Sequence, residues 1–191
     1  MRPSIKIRLI VFLSAVFFTS FTIAQAFKLD SSESTVTVYG TSSLHDWHIV
    51  SEAYNGTLSI ENSENFKIDK LQVDILSETL KSGKKSMDKN TYKALNTNQH
   101  PKILFSLTQV KETKAIGGGK YLVETLGDLT ISGTKKNIPL QFEVELNGNA
   151  IKIKGEKTIR MTDFKVDPPT ALFGTITTGD EITIKFESIF K

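Results

Sequence analysis

The sequence predicts an all-β domain with one short α-helix let into it. Three observations carry this. Eight or nine short segments alternate apolar and polar residues with period two, the connections between them suit antiparallel neighbours, and one stretch, starting at Ser86, places apolar residues at helical spacing. A sheet that is apolar on one face must be covered, and a helix of about three turns cannot cover it. The sheet therefore folds onto itself as a sandwich or closes as a barrel, and the periodicity leaves both open.

Residues 1–26 read as a cleavable leader rather than as part of the domain. Arg2, Lys6 and Arg8 form a basic start, Leu9 to Phe18 is apolar except for Ser14, and Ala24-Gln25-Ala26 is an A-x-A cleavage site that sets the mature start at Phe27. The apolar run is well short of the ~20 residues a membrane span needs. This implies export, to the periplasm or out of the cell. With no cysteine in the chain, the domain at 27–191 must be held by its core alone, without disulfides. Of 24 Lys and Arg, three sit in the leader, leaving 21 against 21 Asp and Glu. A neutral mature chain lacks the basic surface that nucleic-acid binding requires.

The strands then follow in order. Thr35 to Tyr39 is a β-rich alternating run, Gly40 to Asp46 turns, and Trp47 and Ile49 alternate with His48 and Val50. Tyr54, Leu58 and Ile60 alternate with Asn55, Thr57 and Ser59. Phe66 to Leu76 sets Leu71, Val73 and Ile75 against Gln72 and Asp74. In the helix, Met87, Thr91, Ala94 and Leu95 share one face, Lys89, Asn90 and Lys93 point outward, and Ser86 or Asp88 is expected to cap the start. Pro101 keeps His100 out of the helix. Ile103 to Thr113 and Tyr121 to Ile131 form the next pair of strands. Ile138, Leu140, Phe142, Val144 and Leu146 then give the longest unbroken alternation. Asn147 and Gly148 are expected to supply the positive φ angles of a hairpin. Ile151, Ile153, Ile159 and Met161 continue the meander, with Gly155 read as a bulge. Asp163 to Gly179 reads as irregular, and Ile182, Ile184 and Phe186 form the closing strand.

The chemistry-bearing residues point away from catalysis. The chain has no cysteine, no Gly-x-Ser-x-Gly elbow and three histidines, so it is not expected to be an enzyme, and no cofactor is called for. His45, Asp46 and His48 offer imidazole and carboxylate ligands to a metal, but residues three apart on a strand face opposite sides, and a distant His100 would have to complete the set. Lys81, Lys84, Lys85 and Lys89 are the densest positive cluster.

Several ordered blocks, FKLDSSESTVTV, MDKNTYKALNTNQHPKILF, GDLTISGTKKNIPL, MTDFKV and GDEITIKFE, resemble those of the YceI-like proteins, exported bacterial lipid-binding proteins. The resemblance covers nearly the whole mature chain. In place of that family's usual Gly-x-Phe pair the chain reads TSSLHDWHIVSEAYNGTLSI. The resemblance implies an extended, lipocalin-like antiparallel β-barrel of about eight strands with one short inserted α-helix. It also implies a polyisoprenoid or related long-chain lipid, such as a quinone, in the lumen. The inward parity then makes lumen candidates of Val73 and Ile75; Ile103, Phe105 and Leu107; Leu140, Phe142 and Val144; and Ile182, Ile184 and Phe186, with Trp47 and His45 at the head-group end. The expected partners are that lipid and, transiently, a membrane; a homodimer is compatible with the sequence. Two other functions stay open at this level: a metal-binding exported protein using His45, Asp46 and His48, and a structural or stress-related interaction module with a filled core.

Overall fold

A computed structural model describes residues 25–51, 53–62 and 66–191. The leader, apart from Gln25 and Ala26, lies outside the described residues. Among the described residues there are eleven strands: β1 (Gln25–Lys28), β2 (Thr35–Ser42), β3 (Trp47–Ser51), β4 (Tyr54–Asn62), β5 (Lys67–Leu76), β6 (Lys102–Gly117), β7 (Lys120–Ile131), β8 (Thr134–Asn147), β9 (Ala150–Arg160), β10 (Thr170–Ala171) and β11 (Ile176–Phe190). The one α-helix among the described residues, α1 (Lys85–Leu95), lies between β5 and β6. Each alternating segment forms a strand, giving nine where eight or nine were expected and where the resemblance implied a barrel of about eight. The two additional ones, β1 and β10, are too short to show a period, and their pairing is set by the partner strand.

All pairings are antiparallel, in the order β1-β4-β5-β6-β7-β8-β9-β11-β2-β3, with β10 on β11. The long twisted sheet curls into a barrel. At one end the ring is joined by a seam: Lys28 N donates to Lys191 O (2.7 Å), Lys191 N to Lys28 O (2.8 Å) and Asp30 N to Ile189 O (2.8 Å). So β1 and the residues after it bond to β4 on one side and β11 on the other. Tyr54, buried beneath the seam, sets its hydroxyl within hydrogen-bond reach of Thr35 O, Glu187 O and Ser188 Oγ.

At the other end β3 pairs with β2 along one edge; on its other side the backbones of Val50 and Lys81 exchange two 2.9 Å bonds, Ser51 Oγ lies 2.8 Å from Thr79 Oγ1, and α1 stands beside the open end. The helix is strapped down by neighbours. Tyr92 Oη lies 2.9 Å from the carbonyls of Glu78 and Leu80, Thr97 Oγ1 donates to Glu78 Oε1 (3.0 Å), and Ser132 Oγ donates to Leu95 O (3.0 Å).

Local chemistry departs from expectation at four points. Neither Ser86 nor Asp88 caps α1: the cap position is Lys84, with no side-chain bond, and the Asp88 carboxylate instead accepts from Ser82 N (2.7 Å) and Ser82 Oγ (2.6 Å). The β8–β9 turn is centred on Gly148 and Asn149, and Gly148 alone is at positive φ (60°), because Asn147 is still paired with Ala150. Gly155 is no bulge: it pairs in register with both Phe142 and Phe186, and it is glycine because a Cβ there would sit 2.7 Å from the Phe186 ring. Finally, the irregular stretch ends earlier than expected, since β11 starts at Ile176.

Candidate functional site

Inward-facing residues of one barrel behave in two ways. Towards the seam they are packed shut: Leu58, Phe66, Val123, Phe142, Val144 and Phe190 are each at most 2% exposed. Towards α1 the same parity faces open space. A cavity of about 1040 Å³ occupies this end, and a narrower space of about 120 Å³ continues it inward, the two sharing Val36, Ile75, Ile103 and Ile184 as wall. At the ~30 Å³ that a water-sized group takes up in a liquid, the larger chamber has room for about 35 heavy atoms.

The wall is built strand by strand from alternate residues: Val36 and Val38 on β2, Ile131 on β7, Ile159 on β9, Ile182 and Ile184 on β11. The helix supplies Met87, Thr91, Ala94 and Leu95, the face its spacing predicted, yet none of its residues is buried. Ala94 and Leu95, at its C-terminal end, pack against a second buried cluster of Leu129, Ile131, Ile159, Phe164 and Val166, while Met87 and Thr91 line open space, so the helix is a wall of the chamber and not a plug. Asn90, expected outward, also lines the chamber.

Of the sequence-predicted lumen residues, Trp47, His45, Ile75, Ile103, Ile182 and Ile184 line the large chamber. Val73, Phe105, Leu140, Phe142 and Phe186 line the narrow extension. Leu107 and Val144 line neither; they lie in or against the packed core, where β6, β7 and β8 converge. Parity identifies which face a residue takes but not its level along the barrel, and level decides between lumen and solid core.

Trp47 lies against Gly40, its cross-strand partner, so closely that a Cβ at Gly40 would fall 2.1 Å from the ring, and its indole N–H donates to Thr41 O at 2.9 Å. Phe105 sits over Gly127 and Phe186 over Gly155 in the same way. Three inward aromatics are thus seated on glycines of neighbouring strands, which leaves room for large rings inside a curved sheet. Sequence reading missed Gly40 and Gly127, although a mid-strand glycine at an inward position was the available signal.

The mouth is polar and apolar by turns. Ser42, His45, Lys84, Ser86, Asn90, Thr170 and Thr178 contribute polar atoms, while Leu44, Leu172 and Phe173 project from loops. Around Ser42 the chain makes a tight turn, with Ser42 Oγ accepting from Leu44 N (3.3 Å) and His45 N (3.2 Å). His45 Nδ1 donates to Asp46 O (2.7 Å), which spends one ring nitrogen locally. His48 faces the opposite side, next to Tyr39, and His100 packs over Gly133. The histidines therefore do not converge, and among the described residues no three His, Asp or Glu side chains gather in metal-binding geometry.

Two carboxylates beside the mouth are held well ionised. The Ser82 hydroxyl and then its N–H lower the pKa of Asp88; the Thr162 hydroxyl and then its N–H do the same for Asp180, tying the turn at 161–166 to β11. The hydrogen bond to Tyr92 raises the pKa of Lys81.

Comparisons with known proteins agree with this architecture. Residues 27–190 match the family model described as the YceI-like domain. Among solved structures, the fold is similar to BcnA of Burkholderia cenocepacia (TM-score 0.68, 18% identity, 84% of this chain and 98% of that one). It is also similar to a polyisoprenoid binding domain from Saccharophagus degradans implicated in plant cell wall breakdown (TM-score 0.67, 14% identity, 86% and 97%). The YceI protein of Campylobacter jejuni superposes less fully (TM-score 0.54, 20% identity, 72% and 80%). At these identities the likeness is one of fold. No curated protein matches the chain.

Proposed function

This chain belongs to the YceI-like family, and from that premise we propose that it binds and carries a long-chain apolar molecule, an isoprenoid lipid, quinone or similar, without making or breaking a bond. The observation that supports this most directly is the chamber of about 1040 Å³, walled by aliphatic side chains of one parity and open at one end. The polyisoprenoid-binding domain among the similar structures supports the class of ligand. The mechanism is transfer of a tail from water into a dry lumen. Each buried methylene contributes ~0.8 kcal/mol, so affinity rises with tail length until the chamber is full, less the cost of ordering the pair.

In this reading the apolar chain lies along Ile103, Ile131, Ile182 and Ile184, its tip enters the narrow extension beside Phe105 and Phe186, and a polar end stays at the mouth near His45, Lys84 and Asn90. Export, to the periplasm or beyond, is part of the proposal and rests on the leader at 1–26. A homodimer is not needed by it. Organic extraction of the purified mature protein, followed by mass spectrometry, tests the carrier function. The expected result is a lipid near one-to-one with protein; protein that is empty after expression and takes up no offered polyprenol or quinone overturns it.

A further inference from the structure

We propose that the lip of the chamber docks onto an anionic bilayer surface, so that the ligand passes between membrane and lumen without crossing water. The proposal rests on the carrier reading and adds a partner to it. Three apolar side chains project at the mouth far more than apolar residues elsewhere in the fold: Leu44 is 66% exposed, Leu172 68% and Phe173 fully exposed. They come from two separate loops, β2–β3 and β10–β11, and all three border the same opening. Leu172 and Phe173 are held in succession at positive φ (48° and 54°), a conformation that bulky residues avoid. The loop is braced: Thr178 N donates to Pro169 O (3.2 Å), and Ser43 N donates to Thr177 O (2.9 Å).

Charge complementarity selects the occupant. Lys84 borders the mouth, and Lys85 and Lys89 stand exposed beside it on the first turns of α1. The acid among them, Asp88, keeps its charge while accepting from Ser82, so the three lysines outnumber it on this side of the mouth. The opposite rim is the acidic side: Asp163 lies 3.8 Å from Lys136 and Asp180 is held ionised by Thr162, so it is the α1 side of the lip that meets an anionic surface. Apolar tips with lysines behind them are what an anionic interface takes up: rings and aliphatic chains sit at headgroup depth while ammonium groups meet phosphates.

Co-sedimentation of the mature chain with phosphatidylcholine vesicles, with and without phosphatidylglycerol, tests this. Binding is expected to the mixed vesicles and to fall at least about tenfold in the double variant Leu172→Glu/Phe173→Glu. Lys85→Glu/Lys89→Glu is expected to lower it at least about fivefold and to remove the preference for phosphatidylglycerol, while its content of co-purified lipid stays at the wild-type level. Wild-type protein that ignores both vesicles, or glutamate variants that bind as well as wild type, overturn the docking while leaving the extraction result standing. A lip that instead holds two copies together, seen as a dimer in light scattering that Phe173→Glu dissociates without any vesicle association, reassigns the surface and overturns it too.

Discussion

The two ends of this barrel are made from the same alternating strands and filled differently. At the seam end, Phe66, Phe142, Val144 and Phe190 interdigitate at 0–2% exposure, and β1 joins β4 to β11. At the mouth end, Ile75, Ile103, Ile182 and Ile184 point inward just as faithfully but meet a cavity, and a helix with no buried residue replaces a pairing strand. One sheet thus carries both a core that holds the fold and a chamber that holds nothing of its own. Packing is densest towards the seam, and a second cluster of Leu129, Ile131, Ile159, Phe164 and Val166 braces the chamber wall, so the mouth end remains open without the barrel collapsing.

This division can be broken most forcefully at Phe142. Phe142→Ala removes a fully packed ring and is expected to cost ~3–5 kcal/mol in urea denaturation; a cost below about 1 kcal/mol means that the seam end is not the stabilising half. Tyr54→Phe comes next. It strips from beneath the seam the single hydroxyl proton for which Glu187 O, Thr35 O and Ser188 Oγ are the acceptors within reach, for an expected loss of about 1–3 kcal/mol by the same assay. At the mouth the sign changes. Ile184→Phe, placed where the chamber narrows, is expected to leave stability within about 1 kcal/mol or raise it, while lowering the lipid recovered by extraction. A variant that is strongly destabilised yet still fully loaded shows the chamber to be packed in solution. The gentlest probe is pH. The Ser32 hydroxyl, and then the Lys191 ammonium, hold the Asp30 carboxyl at about 2, below its ordinary 3.8. Folding therefore favours its ionised form, so its contribution is present above pH 4 and is lost as pH falls from 3.8 through about 2. Asp30→Asn is expected to flatten the fall in urea midpoint over that interval; an unchanged profile means that the seam carries no such linkage.

The nine strands and the helix were legible because alternation and helical spacing are local signals, strong in runs such as Ile138 to Leu146. What the sequence withheld was depth. Val144 and Ile184 share a parity and a chemistry, and only the curvature of the sheet puts one in solid core and the other beside a cavity. The β1 strand was hidden because Gln25 to Lys28 has no period of its own and is defined by Ile60 to Thr57 across from it. The histidine cluster offered a metal reading that backbone direction undoes, since His45 sits on a turn and His48 on the far face of β3. Gly40 and Gly127 were readable in principle as seats for aromatic rings, but which ring each would seat, Trp47 or Phe105, depends on strand order. Pro169 to Gly174, which shapes the lip, has no pattern to read.

The seam also decides how the protein reaches its shape. Asp30 and Lys191 stand 161 residues apart in the chain, so ring closure is among the least local events available to the fold and is expected to come late and slowly. Until then the outer edge of β1 and the end of β11 beyond Glu187, which β2 does not cover, present bare amides and carbonyls that another molecule can pair with as readily as they pair with each other. The vulnerable moment in folding is therefore set at the end remote from the chamber.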